Sequence, residues 1–151
     1  MITLKKILVP TDFSEHSNKA AVYGAELARK FGAELHLMHA IEATPLIYGE
    51  GAYVAPETEA EIEAAVTEQL EKQLAGSAEG LTIVRKIEHG HPFVETIRYA
   101  KENDIGLIVV GTHGRGAIAH MLLGSVAEKV VRKAPCPVLA VRDKEHDFVM
   151  P

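Results

Sequence analysis

A chain of 151 residues, 47% hydrophobic and 25% charged, has the composition of an ordinary globular protein. It reads as one domain over residues 1–151, large enough to bury roughly 70% of its unfolded surface. The net charge of −5 argues against a nucleic-acid or anionic-membrane surface, since such partners leave a basic footprint. No apolar run approaches the length of a membrane span, and the amino terminus runs straight into a strand, leaving no room for a signal peptide. A single cysteine, Cys136, excludes an internal disulfide framework and fits a reducing cytoplasm.

Strands and helices alternate along the chain without a break in composition, the pattern of a parallel sheet covered on both faces. Residues 6–9 form the first strand, stopped by Pro10. Ser14 is placed as the N-cap of the helix that follows; Ala21, Gly24, Ala25, Ala28 and Phe31 recur on its inner face and Gly32 closes it. Residues 34–41 are the second strand. Residues 44–56, rich in Gly, Pro and Tyr, are too long for a tight turn and read as a mobile connection. The second helix is expected from about Pro56 to Ala75, with Ile62, Val66, Leu70 and Leu74 inward. Its crowded Glu57, Glu59, Glu61 and Glu63 suit the positive end of the helix dipole and form a solvated face. The third strand covers 81–88. The third helix runs from Pro92, suited to a first turn, to Asn103, with Phe93, Ile97 and Ala100 inward.

The fourth strand, residues 105–110, is short, apolar and β-branched, as a fully buried strand requires. It runs into Gly111-Thr-His-Gly114, then nine residues, then Gly124-Ser125 at the start of a fourth helix whose inner side carries Val126, Ala127, Val130 and Val131. Two glycine-punctuated segments thus meet at a strand's carboxyl end and a helix's amino end, where unpaired N–H groups and the helix dipole attract phosphate. The pattern points to a bound anion, a nucleotide first among them. Prolines around Cys136 lead into a fifth strand, 138–141, and a polar terminal segment expected to fray.

Right-handed crossovers place these strands in the order 3-2-1-4-5, an open doubly wound sheet with four helices. In such sheets a ligand lies beyond the carboxyl ends at the point where the winding reverses, here between strands one and four. The two most polar strand ends, Pro10-Thr11-Asp12 and Gly111 to Arg115, fall at that point. Each position also has a local explanation. Asp12 either takes ribose hydroxyls or caps the first helix; Gly124-Ser125 either holds phosphate or is a simple cap; the loop glycines either admit a ligand or supply positive φ. His36 and His39 point to opposite faces of a strand and cannot share a metal. His89 and His91 are too sparse for a site, His113 and His120 read as loop bystanders, and no metal site is assigned.

The strand ending Ile-Leu-Val-Pro10-Thr11-Asp12-Phe-Ser, the strand ending Leu-Met-His39-Ala40, the full Gly111-x2-Gly114-x9-Gly124-Ser125 signature and the ending Ala-Pro-Cys-Pro-Val-Leu-Ala-Val141 together resemble the universal stress protein family, in its adenine-nucleotide-binding branch. The resemblance covers the whole chain and implies a Rossmann-like fold of the adenine nucleotide alpha hydrolase type. It further implies that Asp12 takes the ribose hydroxyls while backbone near Pro10, Thr11 and Ala40 lines the adenine slot. Gly111 would lie against the ribose, and Gly114, Arg115, Gly124, Ser125 and Val126 would hold the phosphates. The implied ligand is ATP, or AMP or ADP, with Mg2+ carried by the phosphates. Ala40 replaces a bulkier aliphatic residue found in some members, which would loosen the slot.

Two functions compete: a nucleotide-binding regulatory module, and a slow ATPase or autophosphorylating enzyme. The chain has no Gly-Lys-Ser/Thr and no evident base to position an attacking water, so no catalytic residue is assigned and the module is favoured. A two-component receiver would bring an acidic cluster and a lysine to the strand ends, and a nicotinamide dehydrogenase a Gly-x-Gly-x-x-Gly after the first strand; neither is present. The apolar final strand at a sheet edge predicts a homodimer, which the resemblance also implies. The signalling partner is not encoded in any motif.

Overall fold

The computed structural model describes residues 1–43, 58–113 and 123–142. Nine elements follow in order: β1 (Lys6–Pro10), α1 (Glu15–Phe31), β2 (Glu34–Ile41), α2 (Glu59–Lys72), β3 (Ile83–His89), α3 (Pro92–Glu102), β4 (Leu107–Gly111), α4 (Ser125–Lys133) and β5 (Val138–Val141). The strands form a single parallel sheet in the order β3-β2-β1-β4-β5. Strand order therefore agrees with the expectation, and the reversal falls between β1 and β4. Among the described residues, no helix is long and apolar enough to cross a membrane.

Alternation along the strands divides the core into two clusters. Ile7, Val9, Leu35, Leu37 and Val109 pack against α1 and α2 on one face. Leu8, Met38, Ile108 and Val110 pack against Tyr99 and Ala100 of α3 and Ala127 and Val130 of α4 on the other. All the strand residues among these are essentially buried, which is why the central strands read as continuous apolar runs. On α1, Ala20, Ala21, Ala25 and Ala28 are buried. A Cβ added at Gly24 would come within 2.6 Å of Val9 Cγ2, so the small-residue face brings this helix close against β1. Ser14 is its N-cap, accepting from Ser17 N–H, and Gly32 ends it in the left-handed region.

Several boundaries and faces differ from expectation. Helix α2 begins at Glu59 because Thr58 and Glu61 form a reciprocal capping box, and it ends at Lys72 because Gln73 turns out of the helix. Phe31 is 43% and Val131 45% exposed, although Ala28 and Val130 in the same last turns are fully buried, so each lies off the buried face of its helix. On α3 the most buried side chains are Glu95, Thr96, Tyr99 and Ala100, with Phe93 only partly covered. Tyr99 reaches the buried His36 across the α3–β2 interface, and desolvation pushes its phenol above the ordinary value. β3 is shifted to 83–89 and β4 to 107–111. The connection over 44–56, Glu57, Gly114, Arg115, His120 and the terminal segment from 143 lie outside the described residues.

Candidate functional site: the crevice between β1 and β4

β1 ends at Pro10, and the loop beyond it is tightly organised. Thr11 N–H donates to Met38 O at 2.8 Å, a backbone link from this segment to β2. His39 Nδ1 lies 2.7 Å from Thr11 O, so that nitrogen carries a proton and donates it to the carbonyl. Thr11 Oγ1 accepts from Phe13 N–H at 3.0 Å. The His39 ring stacks on Phe13 with centroids 4.8 Å apart. Together these hold Phe13 at φ +62, a left-handed conformation a bulky residue does not take unaided.

Asp12 sits inside this loop. Its Oδ1 accepts from Ser14 N–H and from Ser17 Oγ–H, both at 2.9 Å. The carboxylate therefore closes an Asx turn, while capping of α1 falls to Ser14. Of the two local roles considered for Asp12, the helix cap is excluded and an oriented carboxylate at the strand's end remains.

Ala40 is 8% exposed and lies two residues beyond Met38, the last β2 residue paired with β1. Backbone groups alternate sides along a strand. Met38 O points to β1, and Ile41 O, which accepts from Gly90 N–H, points to β3. The N–H and C=O of Ala40 thus face the β1 side, past the point where β1 has ended. A donor and an acceptor are presented side by side next to Thr11.

Across the crevice, Gly111 ends β4. A Cβ there would lie 2.7 Å from both the carbonyl carbon and oxygen of His16, so its missing side chain makes room for the backbone of α1. Neither Gly111 nor Gly124 has a positive φ, which removes that explanation for both. Gly124 is the N-cap of α4, with no side-chain cap; its N–H donates to Thr112 O, tying the helix start to the end of β4. Ser125 and Val126 open the helix, whose first-turn N–H groups have no intrahelical acceptors. The rings of His16 and His113 face one another at 5.3 Å beside this junction, and His16 Nδ1 is buried without a partner among the described residues. The described site residues Pro10, Thr11, Asp12, Ala40, Gly111, Gly124, Ser125 and Val126 all lie at strand or helix ends flanking the point of reversal.

Sequence reasoning missed the supports behind these residues, notably Ser17 and Gln73. Gln73 Nε2 donates to Thr11 Oγ1 at 3.0 Å from 62 residues away, a pairing no local pattern signals. It also set aside His89, whose Nε2 lies 2.7 Å from Glu63 Oε1. Ligand atoms of Glu59, Glu63 and His89 all lie within 4.8 Å of one another. The group joins the start of α2 to the end of β3, with Glu59 and His89 exposed and Glu63 half-buried. A shallow depression of about 320 Å³ along Tyr23, Glu26, Leu27, Arg29 and Lys30 is lined by one helix only and lies on its outer side.

A parallel doubly wound sheet with an oriented carboxylate, an open backbone donor–acceptor pair and a helix amino terminus at its point of reversal places the protein in the class of open α/β domains whose candidate site lies beyond the carboxyl ends of the strands. Within that class the assignment is specific. The model of the universal stress protein family matches residues 3–142, and the chain belongs to that family. It is 34% identical over 145 residues to universal stress protein MJ0531 of Methanocaldococcus jannaschii, covering 95% of this chain and 85% of that one. Among solved structures, MJ0577 of the same organism superposes with a TM-score of 0.74 at 29% identity, over 96% of this chain and all of the other. A universal stress protein in complex with cAMP superposes with a TM-score of 0.72 at 25% identity, over 95% of this chain and 100% of that one.

Proposed function

We propose that this protein, as a single unit over residues 1–151, is a cytoplasmic regulatory module of the stress response that binds an adenine nucleotide in the crevice between β1 and β4. Occupancy would act as a conformational or partner switch. The observation that carries the reading is the backbone pair of Ala40, facing past the end of β1 beside the oriented carboxylate of Asp12. An N–H and a C=O side by side match the acceptor and donor on the Watson–Crick edge of adenine. Asp12 accepts from the ribose hydroxyls, a recurrent use of an acidic residue at nucleotide sites. The N–H groups of Ser125 and Val126 would donate to the phosphates, helped by the dipole of α4, while Gly124, whose own N–H is given to Thr112 O, would let the phosphates approach because it has no side chain. Gly114 and Arg115 complete the phosphate loop, and Mg2+ enters with the phosphates of ATP. Gly111 contributes backbone only, because α1 occupies the space beside its Cα. The complex of a relative with cAMP supports the adenine class. The subunits would pair through β5, and the switch would report to a protein partner.

Isothermal titration with ATP and with adenosine tests the division of labour. Asp12→Ala should weaken both ligands, by about 1.5–3 kcal/mol for a lost charge-assisted hydrogen bond. Gly124→Val should weaken ATP far more than adenosine, since a side chain there blocks phosphate approach and leaves the base slot open. Equal losses for both ligands in both variants, or no binding of ATP by the native protein, would overturn the assignment.

A further inference from the structure

Gln73 stands at the carboxyl end of α2 with its backbone N–H still bonded to Gln69 O, and its side chain turned into the protein to 8% exposure. Its Nε2 donates to Thr11 Oγ1 at 3.0 Å and to Asn18 Oδ1 at 2.7 Å. Thr11 Oγ1 donates onward to Ser17 Oγ at 3.1 Å, and Ser17 Oγ donates to Asp12 Oδ1 at 2.9 Å. The donors all run one way, from the amide of α2 to the carboxylate at the end of β1. Among the described residues, Gln73 Oε1 is buried without a partner. An apolar side chain of the same length would fill this space and leave no orphan acceptor, so packing alone does not call for an amide here. What the amide supplies is direction: with Phe13 N–H and Gln73 Nε2 both donating to Thr11 Oγ1, the Thr11 hydroxyl proton is turned to Ser17. Ser17 is in turn left as a donor, its hydroxyl set between Asp12 Oδ1 at 2.9 Å and Ser14 O at 3.0 Å.

We infer that Gln73 is a positioning residue for ribose recognition, holding the Asp12 carboxylate in place through Thr11 and Ser17. The inference rests on the reading of Asp12 as the ribose acceptor. It makes the carboxyl end of α2 a support of the nucleotide site, acting through Thr11 and Ser17.

Gln73→Met keeps the length of the side chain and removes both the donor and the orphan acceptor. Titrations of native and variant protein with ATP and with 2′,3′-dideoxy-ATP separate a positioning role from a structural one. The variant should bind ATP about three- to tenfold more weakly, the loss expected of one ordinary hydrogen bond. Its affinity for dideoxy-ATP and its melting temperature should stay native. In an Asp12→Ala background the same substitution should change nothing, because the carboxylate it positions is gone. Equal losses for both nucleotides, no loss for either, or a full loss persisting in the Asp12→Ala background would overturn the inference. Native discrimination abolished by Asp12→Ala but untouched by Gln73→Met would sink this role and leave the ribose reading standing. A native protein that binds both nucleotides equally, with Asp12→Ala indifferent, would sink both. Gln73→Ala serves as the second variant should the methionine overpack; failure of both to fold would make Gln73 a determinant of the fold instead.

Discussion

Replacing Gly111 by alanine would put a Cβ 2.7 Å from the carbonyl group of His16, and that neighbour is helix backbone, which cannot rotate away. Helix α1 must then shift off β4, at an expected cost of about 1–3 kcal/mol. Gly76, with nothing within 4 Å of an added Cβ and no positive φ, is the control, and alanine there should be nearly neutral. Urea denaturation of the two variants measures the difference, and coincident midpoints would mean that α1 yields freely. The same residue shows where sequence reading stops. The spacing of Gly111, Gly114, Gly124 and Ser125 marks a crevice, and the fold brings the described members of the set to one. Spacing cannot tell whether a glycine makes room for a ligand or for a helix of its own chain, because His16 becomes its neighbour only after α1 docks. Asp12 shows the converse. Its sequence position allows either of two roles, and only the geometry, with Ser14 capping α1 and Asp12 closing a turn onto Ser14 N–H, separates them.

Elements were legible by type and order because apolar periodicity reports which face is buried, whereas their ends depend on individual hydrogen bonds. Helix α2 illustrates both. Val66 and Leu70 are buried as their spacing requires, yet the helix starts where Thr58 and Glu61 exchange bonds and stops where Gln73 turns inward. Thr58 N–H donates to Glu61 Oε2 at 2.8 Å and Thr58 Oγ1 donates to the same oxygen at 2.9 Å. These two donors, the backbone one foremost, hold the Glu61 carboxyl below the ordinary carboxylate value. A carboxyl with a lowered folded-state value stabilises the fold above its unfolded value, and the contribution is lost as pH falls through the folded one. Thr58→Ala removes a helix cap, for which about 1 kcal/mol is usual. It should also return the Glu61 titration part of the way to the ordinary range, and the melting-temperature deficit should narrow in acid. Carboxyl NMR titration and melts at neutral and acid pH check both; an unmoved Glu61 titration would mean that the Thr58 hydroxyl contributes nothing.

At the scale of the whole molecule, the two edges of the sheet are unlike. β3 carries Arg85, Lys86 and Glu88, charges that blunt an edge against pairing, whereas β5 reads Val138-Leu139-Ala140-Val141. Leu139 is 38% exposed and Ala140 is exposed beside it, so the edge presents apolar surface along with its backbone. The register states which groups are open. Ile108 N–H donates to Pro137 O and Thr112 N–H to Val141 O, so odd-numbered residues of this strand face β4. By alternation Val138 and Ala140 turn their N–H and C=O outward. A two-fold axis pairing this strand antiparallel with its copy would satisfy those groups and close the assembly. Ala140→Pro removes an outward donor without touching the β4 ladder, and proline is tolerated at such a position. It should shift the protein from dimer to monomer in analytical ultracentrifugation while the melting temperature, extrapolated to low concentration, holds. Leu139→Pro, which deletes an inward donor, should instead destabilise the fold itself. A native protein that sediments as a monomer at high micromolar concentration, or a dimer indifferent to Ala140→Pro, would show that β5 is not the interface.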